Sequence, residues 1–204
     1  MLMIFESLFN KITRKLKTML SFFVFQYLRI IKYKILSNCK KVEGKPKFNQ
    51  PALIAGQGMI FFGNKVTIGV SSSPLYYNGY AYIEARKEFS KISFGENVWI
   101  NNSCSFISEG AGIQIGDNTL MGINCEFIDS DFHELTPHKR MSGTPQTAKI
   151  TIGRNVFIGS NVKVLKGVTI GDNSVIANGS VVTKSIPGNV IAGGNPAKIL
   201  KDLE

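Results

Sequence analysis

The chain has 204 residues, 44% of them hydrophobic and 19% charged, with a formal net charge of +10; that is one globular unit with room for an appended element. The charge is lopsided: residues 1–47 carry 11 Lys+Arg against Glu6 and Glu43, while the remaining 157 carry 13 basic and 12 acidic residues and stand at +1. A nucleic-acid surface is therefore not expected, because no recognised nucleic-acid motif accompanies the charge.

In chain order, the first element predicted is helical. Phe5, Phe9, Ile12, Leu16, Leu20, Phe23, Tyr27 and Ile31 recur every three or four residues, with Lys11, Arg14, Lys15 and Lys17 off that line. The opening MLMIFESLFNKITRKLK does not read as a signal peptide, since its apolar residues precede its charges and no small-residue cleavage site follows. The longest charge-free run of this N-terminal segment, Thr18–Leu28, is too short to span a bilayer. Two roles stay open for residues 1–41: a helix packing on the rest of the protein or on a neighbouring subunit, or a basic amphipathic element resting on an anionic membrane face.

From residue 42 a beat of six begins, weak at first: Val42, Phe48, Ile54 and Ile60, then a phase shift to Phe62 and Ile68. Val70–Ser90, with Tyr76, Tyr77, Tyr80 and Tyr82, breaks it and reads as an excursion or irregular coil. Over 92–186 the beat is strong. Phe94, Ile100 and Phe106 form one triplet, and a short insertion around Glu109–Gly112 precedes the next, Ile115, Met121 and Phe127. A long interruption, 129–149, carries SDFHELTPHKR, and the beat resumes at Ile152, Ile158, Val164, Ile170, Ile176 and Val182. Residues 187–204 form a tail.

A strict short period marks a repeat architecture, and units of six must stack to bury an apolar face. Each unit matches a short strand, every second residue inward, plus a turn; Gly153, Asn155, Gly171 and Asn173 fall where turns need relaxed φ. Three units make one triangular coil, an all-β solenoid. Cys104 and Cys125 fall at small positions of that coil and read as core residues. With Cys39 they make an odd count without metal-like spacing, which fits a reducing cytoplasm and no disulfide framework.

The repeats, the His-bearing loop and the ending VVTKSIPGNVIAGGNPAKIL resemble acetyl-CoA-dependent acyltransferases of the left-handed β-helix superfamily, among them the galactoside and maltose O-acetyltransferases and the O-antigen and capsule O-acetyltransferases. The resemblance covers about residues 92–201. It implies a left-handed parallel β-helix that forms homotrimers, with active sites between subunits, acetyl-CoA as co-substrate and no metal. It implies that His133 is the general base, a task suited to a group with a near-neutral pKa. It places Asn101, with Glu109 and Asp131, at the sugar acceptor, although this chain has an insertion near Glu109 and Glu where Asp is usual. It maps acetyl-CoA contacts onto Gly159, Ser160, Asn178, Thr183, Lys184, Lys198 and Lys201, the lysines suiting CoA phosphates. The group that orients His133 is left open among Asp129, Asp131, Glu134 and Glu109. His138 does not match the family's base.

The function expected is O-acetylation of a sugar hydroxyl in a surface polysaccharide or its precursor, in the cytoplasm or on the inner face of its membrane. N-acetylation of a nucleotide-linked amino sugar and a catalytically silent scaffold are the alternatives. A carbonic anhydrase of γ class shares the coil but needs three histidines for zinc, and this chain has two.

Overall fold

Six-residue units fold here as strands of two to five residues joined by tight corners, and they stack into a three-sided prism. The computed structural model describes residues 2–204, with side chains from residue 9 onward; the side chain of Phe5 lies outside the described residues. The first face holds six strands, from Lys41–Glu43 to Thr169–Ile170, and the third face six, from Ala52–Gly56 to Val181–Val182. The second face holds eight, from Lys47–Phe48 to Ala197–Asp202. Every pairing is parallel except the last, in which Ala197–Asp202 turns back antiparallel on Val190–Gly194.

The beat of six is the inward ladder of each face. On the first, Phe62, Phe94, Ile115, Ile152 and Ile170 stand in register. On the second the ladder runs Phe48, Ile68, Ile100, Met121, Ile158, Ile176 and Ala192. On the third it runs Ile54, Ile83, Phe106, Phe127, Val164 and Val182. From Phe62 onward most of these side chains are fully buried, each contributing roughly 1.5–3 kcal/mol. Phe106 joins the aromatic column, stacked on Phe127 with centroids 4.7 Å apart and edge-on to Phe94 at 4.9 Å. Cys104 and Cys125 are buried core residues, and all three cysteines are free. Hydrogen bonding to Cys125 and burial push the Cys104 thiol well up, so it stays protonated.

Two features depart from the sequence reading. Ala81–Ala85 within Val70–Ser90 is a full strand of the third face, paired on both sides; its small ends and its distance from Ile68 hid the beat. Gly153 and Gly171 are not the left-handed turn residues, a place taken by Asn155 (φ 55°) and Asn173 (φ 60°). The glycines are needed for close approach. A Cβ on Gly153 would lie 2.4 Å from Asp172 Oδ1, and one on Gly171 would lie 2.3 Å from the Gly188 nitrogen.

The N-terminal segment is two helices, α1 (Leu2–Phe22) and α2 (Leu28–Leu36), joined by a π-helical turn, Phe23–Tyr27. At that turn Gln26 is fully buried and donates to the Tyr76 carbonyl. Arg29 donates to Gln26 Oε1 (2.7 Å) and to the Gly79 carbonyl (2.7 Å). The Tyr33 ring lies 4.5 Å from that of Tyr80, and beyond α2 the Ser37 hydroxyl accepts from the Ile54 amide at 2.9 Å. The helices are thus pinned to the first coils through the excursion Val70–Tyr80. Elsewhere Phe9, Leu16, Leu20, Phe25 and Ile35 remain exposed. Among the described residues, no helix is long and apolar enough to cross a membrane.

Candidate active site

The three corners of the prism are chemically different. The first, between the first and second faces, keeps the spacing of six in each coil from Phe62 onward, and its turns are bound by asparagine pairs: Asn97–Asn118 (3.0 Å), Asn155–Asn173 (3.0 Å) and Asn173–Asn189 (2.9 Å). Each of these residues has positive φ, which asparagine tolerates. The second corner carries the excursion Val70–Tyr80, and the third carries both the insertion at Glu109–Gly112 and the loop 129–149.

The loop is tied down at its root. Asp129 is fully buried. Its carboxylate accepts from the Ser108 hydroxyl (2.7 Å) and from the amides of Glu109 (2.7 Å) and Gly112 (2.6 Å), locking the loop to the insertion. An antiparallel bridge between Ser130 and Thr147 closes the neck. Beyond it His133 is exposed, and its Nδ1 lies 3.0 Å from the Arg140 carbonyl oxygen. A carbonyl oxygen only accepts, so Nδ1 carries a proton and the neutral ring presents a free lone pair at Nε2.

The four carboxylates left open as orienting groups bond elsewhere. Asp129 serves the loop root; Glu109 Oε2 accepts from the Ser130 hydroxyl at 2.7 Å; Asp131 lies 3.4 Å from Lys166 Nζ; and Glu134 accepts from the Thr136 hydroxyl at 3.0 Å. The partner of His133 is a backbone carbonyl, which a residue pattern does not reveal. His138 sits in an exposed 3-10 turn, Pro137–Lys139.

The other expected site residues divide between corners. Glu109, Asp131, His133, Thr183 and Lys184 belong to the third. Asn101, Gly159, Ser160 and Asn178 belong to the second, and Lys198, opposite Gly193 in the terminal hairpin, lies at its foot. Lys201 pairs with Ile191, farther along the second face. The second corner is internally bonded: the Ser160 amide donates to Asn178 Oδ1 at 2.7 Å, and a Cβ on Gly159 would meet that oxygen at 2.4 Å. Asn101 accepts from the Asn102 amide (2.8 Å) and donates to the Ser73 hydroxyl (3.1 Å), leaving one amide donor. One chain therefore does not bring Asn101 and His133 to the same edge. Among the described residues there is no group of three or more His, Cys, Asp or Glu arranged to hold a metal.

Residues 149–184 match the family described as bacterial transferase hexapeptide (six repeats). Galactoside O-acetyltransferase of Escherichia coli (strain K12) is 40% identical over 114 residues, 56% of this chain and 55% of that protein. The enzyme of the same name from Lactococcus lactis subsp. lactis (strain IL1403) is 37% identical over 112 residues, 55% of this chain and 53% of that one. The chain thus spans about half the length of the curated relatives it matches. Among solved structures, a maltose O-acetyltransferase from Clostridium difficile 630 is 28% identical with a TM-score of 0.50, covering 84% of this chain and 73% of that one. A mutant of AntD, an N-acyltransferase from Bacillus cereus, has a TM-score of 0.58 at 21% identity, over 85% of this chain and 89% of that one, and shares the fold. The prism is a left-handed parallel β-helix built of hexapeptide repeats. It is similar to the galactoside and maltose O-acetyltransferases, as its repeats and loop imply.

Proposed function

We propose that this protein is an acetyl-CoA-dependent O-acetyltransferase acting on a sugar hydroxyl of a surface polysaccharide, such as O-antigen or capsule, or of its precursor. The observation that carries the reading is the free Nε2 of His133, on a loop of a chain that is 40% identical over 114 residues to a galactoside O-acetyltransferase. In the proposed step, Nε2 takes the acceptor O–H proton as the oxygen attacks the thioester carbonyl. The tetrahedral oxyanion is met by a backbone N–H; it collapses with loss of CoA thiolate, which receives the proton from the imidazolium. Acetyl-CoA and alcohol become acetyl ester and CoA thiol, with no covalent enzyme intermediate.

Asn101 and Asp131 hold the acceptor in this reading; Glu109, expected there too, is engaged instead by the Ser130 hydroxyl. Gly159, Ser160, Asn178, Thr183, Lys184, Lys198 and Lys201 line the acetyl-CoA path, the lysines facing its phosphates. Since these residues divide between two corners, a homotrimer that sets one chain's second corner against its neighbour's third would complete each site. The exposed apolar residues of α1 and α2, within a segment of charge +9, support contact with the anionic inner face of the cytoplasmic membrane, where lipid-linked glycans are presented.

The test is the acetyl content of the host's surface glycan in a strain lacking the gene and in strains complemented with wild type or His133→Ala. Loss of base-labile acetyl, restored only by wild type, is expected, and His133→Ala should lower kcat about 10²–10⁴-fold. Loss of base-stable acetamide would transfer the reading to N-acetylation of an amino sugar. An unchanged glycan would overturn the polysaccharide acceptor.

A further inference from the structure

The residue before His133 is held in an unfavourable conformation by groups from two other coils. Phe132 has φ 60°, a conformation that a bulky side chain adopts only where its surroundings enforce it. Two contacts do so. The Phe132 amide donates to Ser130 Oγ at 2.9 Å, and that hydroxyl donates to Glu109 Oε2 at 2.7 Å. The Phe132 ring lies under the Arg86 guanidinium, 4.9 Å from its centroid, a cation–π contact.

Arg86 is itself fixed. Its fork donates to both carboxylate oxygens of Glu84, at 3.2 and 2.9 Å, a bidentate pairing that sets the plane of the guanidinium. Glu109 Oε1 lies 3.9 Å from Arg86 Nη1 and 3.8 Å from Lys87 Nζ, so the carboxylate that engages Ser130 is held from the other side by two cations. The insertion at 109–112, anchored through Asp129, places Glu109 between Arg86 and the loop. This contact chain runs from the strand Ala81–Ala85 to the peptide entering His133.

We propose that Arg86 and Glu109 are positioning residues: they hold Phe132 in its left-handed conformation and so aim the His133 imidazole. The catalytic consequence rests on His133 being the general base, whereas the positioning itself does not. Neither residue contributes a proton. Each fixes where Nε2 points, and a misplacement of about 1 Å at a reacting group costs about 10²-fold.

The experiment follows the imidazole nitrogens of the full-length protein by NMR, with His133 and His138 as the two signals and His138→Gln for assignment. In parallel it measures acetyl-CoA turnover, using a nitrophenyl β-galactoside as acceptor, or acetyl-CoA hydrolysis where the galactoside is not taken. Wild type should show one neutral tautomer at His133, protonated at Nδ1. Arg86→Ala and Glu109→Gln should shift that signal toward the tautomer mixture of a free histidine and leave His138 unmoved. They should lower kcat about 10–100-fold with KM for acetyl-CoA unchanged, and add nothing in a His133→Ala background. Arg86→Lys should recover part of the loss, and Phe132→Leu, which keeps bulk without the π face, should reproduce it should Arg86→Ala fail to fold. An unmoved His133 signal, or losses that multiply with His133→Ala, would overturn the positioning. A shifted signal combined with wild-type kcat in His133→Ala would uphold the positioning and overturn His133 as base.

Discussion

The first and third corners of the prism are built from the same repeat and do opposite work. At the first corner each coil turns in the same number of residues, and the polar side chains are spent on one another in the asparagine pairs. At the third corner the coil opens repeatedly, at 86–90, 109–112 and 129–149, and the polar side chains there secure a loop that leaves one imidazole nitrogen uncommitted. The difference teaches that regularity supplies the scaffold and departure from it supplies the chemistry, a division common where loops sit on rigid frames. The corner that repeats is expected to answer to mutation in stability, the corner that does not in activity.

The largest expected effect is excision of the loop. Ile128 pairs with Leu165, and Thr151 with Thr169, across adjacent coils. Replacing 129–149 with Lys-Gly, the link used at Lys166–Gly167, therefore rejoins the coil in register. Circular dichroism and thermal melting should report a folded solenoid, and acetyl transfer should fall to background. Loss of the fold would show that the third corner is structural after all. Next is the aromatic column that both corners share: Phe106→Ala should cost about 3–5 kcal/mol in denaturant unfolding, and a cost below 1 kcal/mol would mean that the column does not hold the coils. At the first corner, Asn173→Val forces a β-branched residue into positive φ and should cost about 1–2 kcal/mol, with Asn173→Gly cheaper and kcat unchanged in both. The smallest effect is at Asp172, whose carboxyl is held below its usual range by the backbone amide and side chain of Arg154. A carboxyl depressed in the folded state stabilises above its unfolded pKa, and that contribution fades as pH falls through the folded value. Asp172→Ala should therefore slightly lower the melting temperature near pH 7 and match wild type at pH 2; an unchanged difference across that range would remove the linkage.

Much of this division was legible in the residues. The beat of six gave the inward ladders because each position recurs in every coil, and the break after Phe127 located the loop. What stayed hidden had physical causes. Ala81–Ala85 escaped because its buried ends are alanines and its outward residues include a tyrosine, so the alternation carries little contrast. The orienting acceptor of His133 is a main-chain oxygen, Arg140, for which no side-chain pattern exists. Asp129 and Glu109 stood among the candidates to orient His133, and their bonds to Ser108, Gly112 and Ser130 stayed hidden because those partners lie a full coil away in sequence. The glycines of the first corner suggested backbone freedom where crowding is the reason. The burial of Gln26 depends on a π-helical turn that helical periodicity does not encode.

The final strand has a consequence for assembly. A ladder of parallel strands offers its last rung as a template for the next chain, an invitation to fibre growth. Here Ala197–Asp202 reverses direction and occupies the edge of Val190–Gly194, while at the opposite end α2 runs into Ser37 and Asn38, which bond the first strand of the third face. One strand edge at each end of the solenoid is thus occupied by an unlike plug, which leaves fewer edges open to end-to-end growth.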